Sequence, residues 1–397
     1  MTLGEAISSR RAAVLAVTPA VEAILFAVGA ATLYWITGPE QRGDVWPPLA
    51  QAFLDGQIHL DQDRPWLELI PRPGGGQYSP MPPMPAVLIA PLVAIAGEVP
   101  GNVYASIIGG ANVGLVFWLL LGWQVAPSPR RWLTLGFAGT THWWVAGMAG
   151  PHHFAQVSGV LFTLLALNLA VRRRWPIAGG LLLGMAAASR LPMGLALPVI
   201  LCLYGGGWRP HRSWGLVVGG LALPALAVAG YNVARFGSPF DFGYARIPSG
   251  EDGLVTDEPW FTEGLLSLSY IPRHLEVIFL ATFDYVREPP FLKPSMSGAS
   301  LLLTAPFLFG SLLARGRWVG LLWLGVALVM TPNLLHGSWG FAQFGYRFIL
   351  DAVPLVMLLL GIVFRERIGW LAISAIVFGV AVHAYAIWVI NVLGFVT

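Results

Sequence analysis

Apolar runs of about 20 residues, the length that crosses a bilayer as a helix, recur along the whole chain. Most of these runs end at a cluster of arginines. The six clusters are Arg10 with Arg11, Arg130 with Arg131, Arg172 to Arg174, Arg209 with Arg212, Arg315 with Arg317, and Arg365 with Arg367. Because cytoplasmic loops are enriched in arginine and lysine, this pattern predicts a polytopic membrane protein with the six clusters inside.

The spacing of the runs predicts an all-α polytopic integral membrane protein with about 11 transmembrane helices. We expect the N-terminus in the cytoplasm, the C-terminus outside, and one domain over residues 1–397. The predicted spans are 13–36, 103–125, 132–149, 153–171, two short helices within 176–204, 214–234, 298–314, 318–334, 348–364 and 369–393. All but three of the 20 acids then lie outside; the exceptions are Glu5, Glu22 and Glu366.

Composition supports the membrane class. The chain is 56% hydrophobic and 11% charged, whereas a soluble domain carries about 25% charged residues. The net charge of +3 comes from the inside loops and does not indicate nucleic-acid binding. A single cysteine, Cys202, excludes a disulfide within the chain.

Two long outer segments interrupt the spans. The first covers 38–102 and includes the apolar stretch 82–96, which is too short to span and predicts a re-entrant or interfacial helix. A second short helix, near 49–56, has apolar spacing suited to the membrane surface. The second segment covers 235–297 and contains an amphipathic stretch near 263–285.

Asp44 is the acid whose position predicts chemistry most directly. It follows the first span, at the boundary between water and lipid. Partial desolvation there would raise the pKa of its carboxyl group and make it a better general base. The alternative is a solvated loop acid, and for Asp61 and Asp63 the context favours that alternative more strongly.

Several motifs carry a family resemblance. Asp44 is followed by a surface helix ending in Leu54-Asp55-Gly56, and then by Tyr78-Ser79-Pro80-Met81-Pro82-Pro83 before a short apolar helix. This order resembles that of C-type (GT-C) membrane glycosyltransferases, especially bacterial relatives of protein O-mannosyltransferases and of the lipid A aminoarabinose transferase. Further similar segments are the hairpin 179–198 with Arg190 at its tip, the stretch 231–239, and Gly345-Tyr346-Arg347-Phe348 with Pro354.

The chain also departs from that pattern. Many relatives have Asp-Glu at the first-loop site, whereas Asp44 is followed by Val45. Pro47-Pro48 replaces a tyrosine that is frequent one turn later. Met81 stands where many relatives have lysine, which leaves no lysine at that position to contact the donor phosphate.

The resemblance implies an inverting transfer from a polyprenyl-phosphate sugar to an acceptor hydroxyl on the outer face of the bacterial cytoplasmic membrane. The acceptor would be a glycan, a lipid or a protein. Asp44 would be the base, and arginines would bind the lipid phosphate, with Arg190 first, Arg347 second and Arg246 weaker. The alternatives are that Arg190 snorkels to the headgroups and that Arg347 pairs with Asp351.

Other polar residues of the outer face are candidates for binding substrate. They are Asp61, Asp63, Tyr78, His152, His153 and Trp339. No zinc-ligand spacing is present, so we expect no metal site and no cofactor; a divalent cation held by outer acids is the alternative.

Two other function classes compete with the enzyme. A transporter or lipid flippase would explain Glu22 as a proton relay, but it predicts more charges within the spans and internal repeat symmetry. A scaffold subunit of an envelope complex would tolerate loss of Asp44.

Overall fold

The computed structural model describes residues 18–39, 44–61, 67–250, 253–340 and 343–394, and the described chain is mainly helical. The α-helices are α1 Pro19–Thr37, α2 Trp46–Leu54, α3 Met84–Ala96, α4 Gly101–Gly122, α5 Pro127–Ala138, α6 Thr141–Met148, α7 Pro151–Val171, α8 Pro176–Ser189, α9 Leu197–Gly205, α10 Arg212–Phe236, α11 Ile271–Phe279, α12 Leu301–Thr304, α13 Val319–Leu335, α14 Val353–Val363 and α15 Trp370–Asn391.

Shorter elements lie between the helices. The 3-10 turns are Leu191–Ala196, Tyr244–Arg246, Val255–Asp257, Leu268–Tyr270, Pro306–Leu313 and Arg347–Asp351. Three antiparallel two-stranded ribbons lie in the predicted outer segments. They pair β1 Ile70–Pro71 with β2 Gln77–Tyr78, β3 Pro248–Ser249 with β4 Gly253–Leu254, and β5 Asp284–Tyr285 with β6 Leu292–Lys293.

In the described part of the chain, five helices are long and apolar enough to cross a membrane: α1, α4, α7, α10 and α15. Five shorter apolar segments accompany them: α3, α8, 191–205, α13 and α14. The chain is therefore a multi-pass membrane protein. The count of 11 spans and the orientation of the termini stay predictions.

Close packing between helices depends on glycines. A side chain on Gly180 of α8 would collide with the carbonyl group of Val217 on α10, and one on Gly220 of α10 would collide with that of Ile177. Small residues let two helix backbones approach, which is the usual basis of helix association in lipid. The hairpin that carries Arg190 is thus held firmly against α10.

The predicted span 132–149 is two helices in the structure. α5 already begins at Pro127, so Arg130 and Arg131 lie within it, and the chain breaks at Gly139 and Thr140. A side chain at Gly139 would collide with Val380. The Thr140 hydroxyl accepts from the His142 N–H at 3.3 Å and restarts the helix as an N-cap.

The predicted spans 298–314 and 348–364 are also irregular. The first contains the single turn α12 and then a 3-10 segment that begins at Pro306. Proline lacks an N–H and moves the preceding residue out of helical geometry, and Ala305 accordingly has φ −151°. The second begins with the 3-10 turn Arg347–Asp351 before α14.

Contacts place several arginine clusters at one end of the bundle. Arg131 binds Glu22 in the first turn of α1, with nitrogen–oxygen distances of 2.8 and 2.6 Å. Arg172 donates to the carbonyl of Trp118 in the last turn of α4 at 2.7 Å. The Arg365 carbonyl accepts from the N–H just before α5. The shared end agrees with the pattern of basic loops, and the side of the membrane that it faces stays a prediction.

The two predicted short helices of the first outer segment are present as α2 and α3. Both pack on protein, and three residues of α2 are fully buried: Trp46, Leu49 and Ala50. The stretch predicted to be amphipathic contains α11, which buries His274 and Ile278. These segments cover the end of the bundle that holds the candidate site.

Candidate functional site

Asp44 lies directly before α2 and is 8% exposed. One carboxylate oxygen, Oδ1, accepts from the backbone N–H groups of Val45 and Trp46 at 2.6 and 3.4 Å. The other, Oδ2, accepts from the Tyr104 hydroxyl of α4. Burial raises the pKa of Asp44 to about 7, although the two backbone hydrogen bonds favour the ionised form. Its position is thus that of a desolvated carboxylate, as the sequence predicted.

The surroundings of Asp44 are tight and apolar. A side chain at Gly101 would lie 3.2 Å from Oδ2, so glycine there leaves room for the carboxylate. Phe154 of α7 packs edge-on against Trp46 and Tyr104, with ring centroids 6.1 and 4.6 Å apart. These contacts fix Asp44 beside the start of α7.

Asp351 forms the second buried carboxylate centre. Arg190 Nε donates to its two oxygens at 2.7 and 2.6 Å. Asn333 of α13 and Gln156 of α7 donate to them at 2.9 and 2.7 Å. Arg190 Nη2 also donates to Asn333 Oδ1 at 2.9 Å. The Asp351 side chain is fully buried and that of Arg190 is 17% exposed, so this is a desolvated ion pair.

Arg347 lies beside this pair but has a different environment. Its backbone N–H donates to Gln343 and its carbonyl accepts from Gln156 Nε2 at 2.8 Å. It is 6% exposed, yet its Nε and Nη1 have no hydrogen-bond partner among the described residues. Burial and, to a smaller extent, the adjacent Arg190 together lower the pKa of Arg347 to about 9.

Phe348 joins the two arginines. Its ring has the Arg190 Cζ 4.8 Å and the Arg347 Cζ 4.9 Å from its centroid. The His336 ring lies 6.3 Å from Phe348 and 5.5 Å from the ring of Tyr244 in the second outer segment. Burial, with smaller contributions from the two arginines, lowers the pKa of His336 to about 4. The neutral imidazole of His336 and the phenol of Tyr244 therefore lie beside the guanidinium groups of Arg190 and Arg347.

A second acid approaches from the first outer segment. Glu68 Oε2 lies 3.0 Å from Nε2 of His152, at the start of α7. The hydrogen bond to His152 holds the pKa of Glu68 below its ordinary value, with a smaller contribution from Arg347. His153 is buried and its ring lies against Gly150.

The first turns of α7 connect the two centres. His152 and Gln156 are four residues apart and so share one face, which carries the contacts to Glu68 and to the backbone of Arg347. Phe154, between them in sequence, packs against the residues around Asp44. Asp44, Arg190, Arg347 and the two histidines are thus gathered around one helix start.

The remaining predicted site residues have other contacts. Arg246 forms an ion pair with Asp241 at 2.8 Å and its side chain is 53% exposed. Tyr78 packs against Phe236, with ring centroids 5.7 Å apart. Among the described residues, neither side chain forms a hydrogen bond, ion pair or ring contact with Arg190 or Arg347, which makes both poor candidates for the same phosphate.

Two further candidates lie at the edge of the site. Asp61 pairs with His59 and its side chain is 69% exposed. Trp339 has the guanidinium of Arg273 5.4 Å from its ring centroid and lies in the loop before Arg347. Asp63 falls outside the described residues.

Sequence reasoning missed several members of the site. Gln156 and Asn333 are polar residues within apolar helices, which is the signal that could have identified them. Glu68, Tyr104, Tyr244 and His336 carry no such signal. The alternative that Arg347 pairs with Asp351 is wrong: Asp351 takes Arg190 as its ion-pair partner. In a 3-10 turn residues i and i+3 align, so residues i and i+4 do not share a face.

Among the described residues, no three His, Cys, Asp or Glu side chains come together as a metal-binding group. The expected metal-independence therefore stays a prediction, to be tested with a chelator.

Comparison with known proteins gives a fold. No protein-family model matches the chain, and no curated protein matches it significantly. Its structure is similar to that of ArnT from Cupriavidus metallidurans bound to undecaprenyl phosphate, with TM-score 0.53 and 13% identity over 91% of this chain and 63% of ArnT. For the apo state of ArnT the TM-score is 0.51 and the identity 14%, over 86% and 59% of the two chains.

An oligosaccharyltransferase from Archaeoglobus fulgidus in its apo form is also similar, with TM-score 0.48 and 15% identity over 93% of this chain and 55% of that one. The chain thus spans less than two thirds of the length of each of these proteins. The ArnT structures confirm the GT-C fold that the sequence motifs predicted.

Proposed function

We propose that this chain is an inverting glycosyltransferase that moves a hexosyl or pentosyl group from a polyprenyl-phosphate donor to an acceptor hydroxyl. The observation that carries the proposal is the state of Arg347: a buried guanidinium with Nε and Nη1 unpartnered among the described residues. A buried charge without a partner is costly, and Arg geometry fits phosphate in bidentate fashion. ArnT, of the same fold, was solved with undecaprenyl phosphate bound.

Asp44 is the proposed base. The proton of the acceptor hydroxyl would move to the carboxylate of Asp44 while the acceptor oxygen bonds to the anomeric carbon of the sugar. The bond from that carbon to the phosphate oxygen breaks, and its electron pair leaves with the polyprenyl phosphate. A pKa of about 7 suits this role, because a useful fraction of the carboxyl group is ionised at neutral pH and still accepts a proton well.

The proposed inversion follows from a single displacement. One carboxylate beside the acceptor and cations beside the leaving group need no covalent sugar intermediate. Phosphate is already a competent leaving group, so no strong acid is required. The acceptor is proposed to be a glycan, lipid or protein of the cell envelope.

The proposed site faces outside a bacterial cytoplasmic membrane. Support comes from the arginine clusters that share one end of the bundle, because basic loops are typical of the cytoplasmic side. Asp44 follows the other end of α1. The transporter alternative gains no support from Glu22, since Arg131 binds both of its carboxylate oxygens.

The proposal is tested with purified protein in detergent and a set of radiolabelled polyprenyl-phosphate sugars, with and without EDTA. We expect the wild type to transfer or hydrolyse one donor, and Asp44→Asn to be slower by about 10²–10⁴-fold. Arg347→Gln should lose about 10²–10³-fold. Asp55→Asn is the matched control, because Asp55 is an exposed acid of the same outer segment.

Two outcomes contradict the proposal in different ways. If the wild type consumes no donor, the chain is not this enzyme. If Asp44→Asn works as fast as the wild type, the transferase is retained and Asp44 loses its role. Loss of activity in EDTA would overturn the predicted metal-independence.

A further inference from the structure

The two arginines of the site differ in how their charge is balanced. Arg190 Nε contacts both oxygens of Asp351, and the Asp351 side chain is fully buried. Arg347 has no such contact, and its Nε and Nη1 are unpartnered among the described residues. The three groups together therefore carry one uncompensated positive charge.

Asp351 is held rigidly in this arrangement. Gln156 and Asn333 each donate to one of its oxygens, and Asn333 also accepts from Arg190. A further acid, Glu68, interacts with Arg347 only through its charge. It is bound by His152 and its side chain is 51% exposed, so water screens its charge. Asp351 is thus the main negative charge that acts on Arg347, against the positive charge of Arg190.

The charge of the ligand changes during the proposed reaction, on which this inference rests. The donor is a phosphodiester with a single negative charge. The product is a phosphate monoester, which carries about −1.5 to −2 at pH 7. A site with two free guanidinium groups would hold the product far more tightly than the donor and would release it slowly.

We propose that Asp351 is a specificity-determining residue that keeps one of two arginines neutralised, so that the phosphate site matches a monoanionic phosphodiester and does not retain the dianionic polyprenyl phosphate. Arg347 then contacts the phosphate directly. Arg190 acts through Asp351 as a positioning residue.

The test measures binding of two lipids to the purified full chain: undecaprenyl phosphate, the monoester, and undecaprenyl methyl phosphate, a diester that lacks a sugar. Asp351→Asn should tighten monoester binding relative to diester binding by about tenfold or more, because it exposes a second positive charge to the ligand. Asp241→Asn is the matched control, since it removes the same group from the exposed pair with Arg246. Its affinity ratio should equal that of the wild type.

A ratio in Asp351→Asn within about twofold of the wild type overturns the inference. The double variant Arg190→Gln with Asp351→Asn serves where the single variant does not fold. This double variant removes one charge of each sign. Its ratio of monoester to diester affinity should therefore match that of the wild type, even if both lipids bind more weakly. A tenfold shift in that ratio would also overturn the inference. If neither lipid saturably binds the wild type, the proposed function itself fails.

Discussion

Asp44 and Asp351 are two buried aspartates of one site with opposite surroundings. Asp44 receives hydrogen bonds from a tyrosine hydroxyl and from two backbone N–H groups, and burial raises its pKa to about 7. Asp351 receives both contacts of Arg190 Nε together with two side-chain amides. Burial alone therefore does not decide what a carboxylate does, because the charge of its partners decides it.

The difference also separates a reactive group from a structural one. Asp44, whose hydrogen-bond donors among the described residues are uncharged, can accept a proton near neutral pH. Asp351 instead forms an ion pair with Arg190. The pair of Arg190 with Asp351 joins the tip of a hairpin to a 3-10 turn 161 residues later.

Loss of Arg190 should have the largest effect. Arg190→Met leaves Asp351 buried without its cation, and breaking a buried pair costs about 3–5 kcal/mol of unfolding free energy. Thermal and denaturant unfolding in detergent measure it. The double variant Arg190→Met with Asp351→Leu should recover most of the loss, since an apolar pair of similar volume is often neutral. A cost below about 1 kcal/mol in the single variant would mean that the pair is not desolvated.

The contribution of Asp44 to the free energy of unfolding should fall as pH rises. A carboxylate that is bound to a cation has the opposite dependence. The folded pKa of Asp44, about 7, lies above its ordinary value of 3.8. The protonated form therefore stabilises the fold below about pH 4, and this contribution is lost as pH rises to about 7. The loss amounts to up to about 4 kcal/mol by linkage. Asp44→Asn cannot ionise and should not show it.

The measurement is the unfolding temperature of the wild type and Asp44→Asn between pH 4 and pH 8, with Asp55→Asn as control. As pH rises, the unfolding temperature of the wild type should fall relative to that of Asp44→Asn. A constant gap across this range would show that Asp44 is not desolvated in the folded protein.

Much of this contrast could not be predicted from the sequence. The apolar runs located the helices, because twenty apolar residues have few other stable conformations. The breaks at Gly139 and Pro306 depend on the contact with Val380 and on the geometry of Ala305, which periodicity does not report. Asp44 could be found because it lies a few residues past the first predicted span, ahead of the motif Tyr78-Ser79-Pro80-Met81-Pro82-Pro83.

The partners of each group were beyond prediction for a similar reason. Arg190 was visible as a charge in an apolar hairpin, but its ion-pair partner depends on a 3-10 turn that replaces the expected helix. In the sequence, Tyr104 and Phe154 have the pattern of ordinary residues of apolar helices, yet they enclose Asp44 in the structure. Local pattern identifies charged residues, whereas tertiary packing decides which of them are neutralised.

The rate of transfer should report the ionisation of Asp44. If its carboxylate is the base, kcat/KM should rise about tenfold per pH unit below about pH 7 and level off above it. The donor phosphodiester does not change its charge in this range. Initial rates between pH 5.5 and pH 8.5 measure the profile, and Asp55→Asn should reproduce it. A flat profile would remove Asp44 as the base.

The smallest effect is expected at the exposed pair of Arg246 with Asp241, which has the same chemistry as Arg190 with Asp351 but contacts solvent. Exposed ion pairs contribute about 0–1 kcal/mol, because water already solvates both charges. Arg246→Gln should therefore lower the free energy of unfolding by less than about 1 kcal/mol and leave the transfer rate within about twofold of the wild type. A loss of tenfold or more in transfer would return Arg246 to the phosphate site that the sequence first suggested, and would mean that the second outer segment closes over the donor.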